Sequence, residues 1–305
     1  MKNASIVAVI ALGAAACQSE NELRFVSTLD AEVNGIALAH DGTDSHAGMS
    51  GMTCTISTEW GCPIDDADLP TKEERVLDYF EGMTLARSAT AVHQIDATGW
   101  RRDDDVSVSG VRAARYASDG MLVVHGDAEA CYIQLGVQQT AIAGELCNEE
   151  LDTEVDRSHN ALYTAVGDDI YAVDIGGANK LATGDLVAWD PTLKQVYIAT
   201  SGKTTVTAIQ RNGTEIWSVD VDMPITSIAT RGDTGQLLVL AQKSDGFGRL
   251  IRIGGFDGGR LGGSNLPDAD GDVEVSGNGT MVAVVREDNV NFFSMVIESE
   301  GEVEQ

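Results

Sequence analysis

Positive charge is scarce in this 305-residue chain: Lys and Arg number 20 against 48 Asp and Glu, a net charge of −28, and only six of the 20 are lysine. Such a field repels phosphate backbones and anionic lipid surfaces, which excludes nucleic acid as a partner. The composition fits a solvated acidic surface. Long apolar runs are also missing. The longest, Ile6 to Ala16, has eleven residues, too few to cross a bilayer as a helix. Between Met121 and Val296 no segment carries a helical period, so a helical core is excluded. There is no Cys-x2-Cys and only five histidines, which argues against a thiolate metal site. Neither Gly48-Met49-Ser50-Gly51 nor Ser276-Gly277-Asn278-Gly279 has the strand-elbow-helix context of an exposed serine nucleophile.

What the chain does contain is a repeat. Five apolar segments, Met121 to Val124, Leu162 to Ala165, Val196 to Ala199, Leu237 to Leu240 and Met281 to Val284, each follow a Gly, Asp, Asn or Pro turn signal. About ten residues later each has a partner, such as Ile170-Tyr171-Ala172-Val173 or Leu250-Ile251-Arg252-Ile253. Taking Leu122, Leu162, Val196, Leu238 and Val282 as equivalent gives steps of 40, 34, 42 and 44 residues. Runs this short, bounded by Gly and Asp, are strands. A unit of four antiparallel strands cannot bury both faces alone, so copies must stack, and radial stacking leaves only short edges.

A further copy reads upstream, Glu81 to Ala86 followed by Thr90 to Ile95, with Val33 to Ala39 as its innermost strand and residues 41–78 as an insertion. The expectation is an all-β propeller of six four-stranded blades, with seven as the alternative count. The last blade lacks an outer strand, so Leu23 to Leu29 is expected to complete it and close the ring.

The rhythm resembles the WD-repeat, PQQ-like and YVTN-like superfamily of β-propellers over residues 20–297. Ala208 to Trp217 is similar to one PQQ-like blade turn, whereas Trp60, Trp100, Trp189 and Trp217 do not recur at one blade position. The resemblance implies binding and scaffolding, and fold by itself assigns no function.

The N-terminus carries one positive charge, Lys2, and then the apolar segment, a signal-peptide pattern over residues 1–16. Leu12-Gly13-Ala14-Ala15-Ala16-Cys17 resembles a bacterial lipobox, which implies lipidation of Cys17; Ala14 stands where that pattern prefers Leu. Removing residues 1–16 leaves 19 basic and 48 acidic residues, a net charge of −29. Gln18 after the cysteine resembles lipoproteins sent to the outer membrane, facing the periplasm or the exterior. The expected organisation is a lipid-anchored linker at 17–22, the propeller at 23–297 and an acidic tail at 298–305 with almost nothing to bury.

Cys54, Cys62, Cys131 and Cys147 form an even set in an exported chain, which suggests two disulfides. Three pairings exist, and pairing within the insertion (Cys54, Cys62) and within one blade (Cys131, Cys147) is the most economical. In the insertion, Thr71 followed by Glu74 fits a capping box on a short helix. Asp268-Ala269-Asp270-Gly271-Asp272 places hard oxygens around a turn, as calcium requires, but Gly279 stands where an EF-hand loop needs its glutamate. Asp268, Asp270 and Asp272 are therefore candidate metal ligands; otherwise no cofactor is expected.

Two functions follow. One is a monomeric, membrane-anchored binding module for a protein, peptide or glycan. The other is a calcium-dependent hydrolase or lactonase, since six-bladed propellers of the gluconolactonase type hold calcium in the central channel. Convergence of acidic or amide side chains from several blades in the channel separates them: the first expects none, the second at least three.

Overall fold

The structure is a computed structural model. It describes strand backbone at 23–29, 33–38, 44–49, 52–57 and 75–76, and most residues from 77 to 295 apart from 81–82, 89, 97–106, 109, 119, 127–130, 137, 143–150, 175, 232–233, 267–270, 276–280 and 287–288.

Strands β1 (Leu23–Leu29), β2 (Val33–Leu38), β3 (Asp44–Met49) and β4 (Met52–Ser57) come first, then β5 (Arg75–Phe80), β6 (Met83–Arg87) and β7 (Val92–Asp96). Groups of four follow: β8 (Val111–Ala117), β9 (Gly120–Gly126), β10 (Cys131–Leu135) and β11 (Gln138–Ile142); then β12 (Thr153–Asp156), β13 (Ala161–Val166), β14 (Asp169–Asp174) and β15 (Gly177–Thr183). The next are β16 (Leu186–Asp190), β17 (Gln195–Ala199), β18 (Thr205–Gln210) and β19 (Glu215–Asp220), and β20 (Ile225–Arg231), β21 (Gln236–Gln242), β22 (Gly248–Gly254) and β23 (Arg260–Leu266). The chain closes with β24 (Asp272–Val275), β25 (Met281–Val285) and β26 (Val290–Met295); a 3-10 turn at Arg157–His159 is the one helical element among the described residues.

These strands form antiparallel sheets in chain order, and the first strands β2, β5, β8, β12, β16, β20 and β24 touch one another in cyclic order, with β24 against β2. That is a closed propeller with the first strand of each sheet innermost. β1 pairs with β26 from Leu23↔Met295 to Leu29↔Val290, with a bulge between Phe25 and Ser27. The N-terminal strand therefore clasps the last blade, as expected, and removes the open edge that β26 would otherwise present.

Two details differ from expectation. Among the described residues the sheets number seven, five of four strands and two of three, so the alternative count of seven replaces six. The extra sheet is β2-β3-β4: Asp44–Met49 and Met52–Ser57, read as part of an insertion, pair with β2 as a blade of their own. The capping pattern at Thr71 and Glu74 does not lead into a helix at 75–80. That segment is β5, which pairs with β6 and is the true inner strand of the next blade. A capping box is a local signal, and six residues without a helical apolar stripe gain more from a strand partner than from one helical turn.

Burial follows blade position. The middle strands β17 and β21 are buried nearly throughout, whereas outer strands β15 and β19 alternate between exposed and half-buried. The core therefore lies between blades. Tyr163, Ile170, Val187, Trp189, Val196 and Ile209 pack where the β12–β15 and β16–β19 blades meet, with Tyr163 stacked on Trp189 at 5.0 Å. Each fully buried Leu, Ile or Val here contributes about 1.5–3 kcal/mol.

Candidate functional site

Inner strands place charges around the central channel. Arg115 on β8 reaches both neighbouring blades: Nη1 donates to Leu77 O at 2.6 Å and Ala114 O at 3.0 Å, and Nη2 donates to Thr153 O at 2.9 Å. Asp78 on β5 accepts Tyr116 N at 2.8 Å and takes Arg157 in a two-pronged pair at 3.2 Å on each oxygen. Arg157 also donates to Tyr116 O and lies over the Phe80 ring, 4.4 Å from its centre. Three successive blades are thus joined by charge-assisted bonds, the stronger class of hydrogen bond.

Four more carboxylates belong to the same wall. Asp152 precedes β12 and Glu154 lies on it; Asp272 and Glu274 lie on β24, across the ring. Asp152 is anchored by Val187 N, 2.7 Å from Oδ2, and β24 by Val273 N donating to Ser227 Oγ at 3.1 Å. Asp152, Glu154 and Glu274 keep some accessible surface along the channel yet are hemmed in by protein. Burial pushes Asp152 up to about 7, with Glu154 and Asp272 adding to the rise and the Val187 amide and Arg115 opposing it. Burial likewise raises Glu154 to about 7, opposed by Arg115 and Arg157 and reinforced by Asp78. Glu274 rises to about 8 through burial, against Arg115, with Glu154, Asp272 and Asp152 pushing the same way. Desolvation and like charge both disfavour the ionised form. The site is a crowd of carboxylates facing each other across a channel with Arg115 the cation common to all three.

Of the residues singled out from sequence, Asp272 takes part, at the exposed start of β24. Asp268 and Asp270 lie outside the described residues, as do Cys17, Cys62 and Cys147. Cys54 is on β4, with its side chain outside that set. Cys131 is fully buried on β10 and disulfide-bonded. Among the described residues no three His, Cys, Asp or Glu side chains are grouped so as to hold a metal ion. Sequence reading missed Asp78, Arg115, Asp152, Glu154, Arg157 and Glu274. The available signal was charge at alternate positions of short apolar strands, as in Thr153-Glu154-Val155-Asp156 and Asp272-Val273-Glu274-Val275.

A second polar system pins blades together. Asp190, fully buried at the end of β16, accepts Thr192 N at 2.8 Å, Leu193 N at 2.9 Å and Tyr197 Oη at 3.0 Å. Burial raises its pKa, against those three donors. Gln195 Nε2 donates to Tyr197 Oη at 2.6 Å and to Gly255 O, which also receives Trp217 Nε1 at 2.7 Å. One blade earlier Asp156 repeats the plan: it pairs with Arg211, whose Nε donates to Tyr163 Oη at 3.0 Å. Ser158 and His159 also touch Asp156, but Ser158 Oγ at 2.7 Å and Asp156 Oδ1 at 3.2 Å share the same ring nitrogen, Nδ1. A serine nucleophile relay needs the two imidazole nitrogens to serve different partners, so this trio is structural.

No protein-family model and no curated protein matches the chain. Solved structures match in large numbers, 945 chains, which marks a widespread architecture. A chain in the crystal structure of the mitotic checkpoint complex superposes with a TM-score of 0.64, covering 95% of this chain and 99% of that one at 11% sequence identity. At that identity the likeness is one of fold, that of a β-propeller.

Proposed function

We propose that the protein is an exported, lipid-anchored binding module that takes a positively charged segment of a protein partner at the channel end where the inner strands begin. The observation that carries this reading is the convergence of Asp152, Glu154, Asp272 and Glu274 from opposed blades with Arg115 as the shared counter-charge. A lysine or arginine side chain entering there would relieve like-charge repulsion that the fold otherwise bears. The net charge of −28 steers cationic partners in and slows others. Protein partners are favoured over glycans because a neutral sugar leaves that repulsion in place. The lipobox-like run ending at Cys17 supports an outer-membrane anchor, and local pairing of Cys54 with Cys62 and of Cys131 with Cys147 suits an oxidising compartment.

The test is calorimetric titration of the mature protein with a lysine-rich decapeptide at low and high salt. Glu154→Gln combined with Glu274→Gln is expected to weaken binding about tenfold, a change of about 1.4 kcal/mol. Equal affinity in the double variant would sink the reading. For the anchor, cells fed an alkyne-tagged fatty acid should label the wild type and not Cys17→Ser, whose protein should leave the membrane pellet.

The second reading, a calcium-dependent hydrolase, would need acids beyond the described ones, since no three of those are grouped to hold a metal ion. Asp268 and Asp270 are the residues that would join Asp272 and Glu274 in such a site. Equilibrium dialysis separates the two readings: one tightly held calcium ion per chain, lost in Glu274→Gln, supports the hydrolase, and competition of calcium with the decapeptide at millimolar concentration alone supports the binding module.

A further inference from the structure

Phe256 is the most exposed large apolar side chain described, 83% accessible, at the tip of the turn Gly254-Gly255-Phe256-Asp257-Gly258-Gly259 between β22 and β23. The turn beneath it is rigid. Gly258 N donates to Gly254 O at 2.9 Å, Gly254 N to Gly259 O at 2.8 Å and Gly259 N to Asp257 Oδ1 at 2.8 Å. Its base is bolted to the preceding blade and to the β20–β21 turn: Gly255 N donates to Gly235 O at 2.8 Å, and Gly255 O accepts Trp217 Nε1 and Gln195 Nε2. The base is closely packed: a Cβ on Gly255 would overlap the Tyr197 hydroxyl and one on Gly258 would lie 2.9 Å from the Trp217 ring. The phenyl ring is therefore held out in solvent by a scaffold that pays no ordering cost on binding.

We infer that this turn is a docking finger, with Phe256 as the anchor for a protein partner whose apolar pocket is rimmed by lysine and arginine. Leu261, 47% accessible, extends the apolar contact beside the turn: its Cδ2 lies 3.8 Å from where a Gly254 Cβ would sit. The rim is acidic, with exposed Asp257 in the turn and Asp222 reaching Arg260 at 3.4 Å while its own side chain stays 79% accessible. Charge decides among occupants. A second copy would bring another −28 against this one, and an anionic lipid surface is repelled in the same way. A basic-rimmed protein pocket satisfies both the ring and the field, and aromatic anchors with apolar neighbours are what dominate such interfaces. The finger lies at the ends of the inner strands, beside the β16–β17 turn, away from the channel mouth where Asp152 and Asp272 stand; it is independent of the channel reading.

The test selects a random peptide library against the full mature chain, with Phe256→Ala for counter-selection and Glu274→Gln as the channel control. The expected result is peptides that join an aliphatic or aromatic cluster to Lys or Arg, bind Phe256→Ala about tenfold more weakly or worse, bind Phe256→Trp well, and ignore Glu274→Gln. No enrichment, or binding to Phe256→Ala or Phe256→Asp as tight as to the wild type, overturns the proposal. So does a Phe256-dependent dimer in sedimentation velocity, which would make a second copy the occupant, or Phe256-dependent binding to neutral phosphatidylcholine vesicles, which would make it a lipid surface. Because the ring is exposed, circular dichroism of each variant should match the wild type.

Discussion

Tyr197 joins Asp190 to Gln195 within one blade through a single oxygen, and Gln195 carries the link on to Gly255 O of the next blade. The Tyr197 hydroxyl donates to Asp190 Oδ2 and accepts Gln195 Nε2, and all three residues are buried. Tyr197→Phe keeps the packing but strips a partner from Asp190, a loss of about 1–3 kcal/mol. Gly255→Ala forces a Cβ against the same hydroxyl and 2.5 Å from Gly235 O, and overpacking of this kind costs about 1–3 kcal/mol. The two changes share an atom. Urea denaturation of the double variant should therefore show a smaller loss than the two single losses added together, by about 0.5 kcal/mol or more. Strict additivity would mean that the Gly255 region relaxes away from Tyr197 and that the two blades are less firmly joined than the hydrogen bonds imply.

At the scale of strands, closure rests on β1. Residues 23–29 form the outer edge of the last blade, and without them β26 exposes a row of unpaired backbone groups. A chain lacking 1–29 is expected to unfold at lower temperature and to aggregate on its bare β26 edge, measured by thermal unfolding with light scattering; an unchanged melting profile would show that the ring does not need its clasp. This clasp was legible in the sequence because β25 and β26 form an apolar pair with no outer partner, and Leu23 to Leu29 is a spare strand. The middle strands were legible for the same reason: β13, β17, β21 and β25 are buried on both faces and read as unbroken apolar runs. More polar strands were harder. Gly177-Ala178-Asn179-Lys180 of the outer strand β15 faces water in part and looks like a loop, and so does the polar run Asp44-Ser45-His46 that opens the middle strand β3, so the blade containing β3 was counted as an insertion. The channel charges escaped notice for a different reason. Glu154 and Glu274 are 120 residues apart and become neighbours only when the ring closes, so no local pattern joins them.

The whole molecule carries the consequence of that closure. Asp152, Glu154 and Glu274 have ordinary carboxyl pKa values of 3.8, 4.5 and 4.5 and are raised in the folded ring to about 7, 7 and 8. Between those limits the folded chain holds protons that the unfolded chain has released. Stability therefore falls as pH rises from about 4.5 to about 8, at about 1.4 kcal/mol per pH unit for each proton held differentially, and levels off above the folded values. The excess of acids elsewhere pushes the same way, because self-repulsion grows as carboxylates ionise. The melting temperature is expected to drop between pH 5.5 and pH 8.5, and Glu154→Gln with Glu274→Gln should flatten that slope while raising the value at pH 8.5. Added salt screens surface repulsion but reaches the hemmed-in channel groups far less, so a residual slope should persist at high ionic strength in the wild type and shrink in the double variant to what Asp152 alone contributes. A wild-type melting temperature that rises with pH over this range would mean that these three carboxylates are ionised and compensated in the folded ring, and the case for a cationic partner at the channel would go with it.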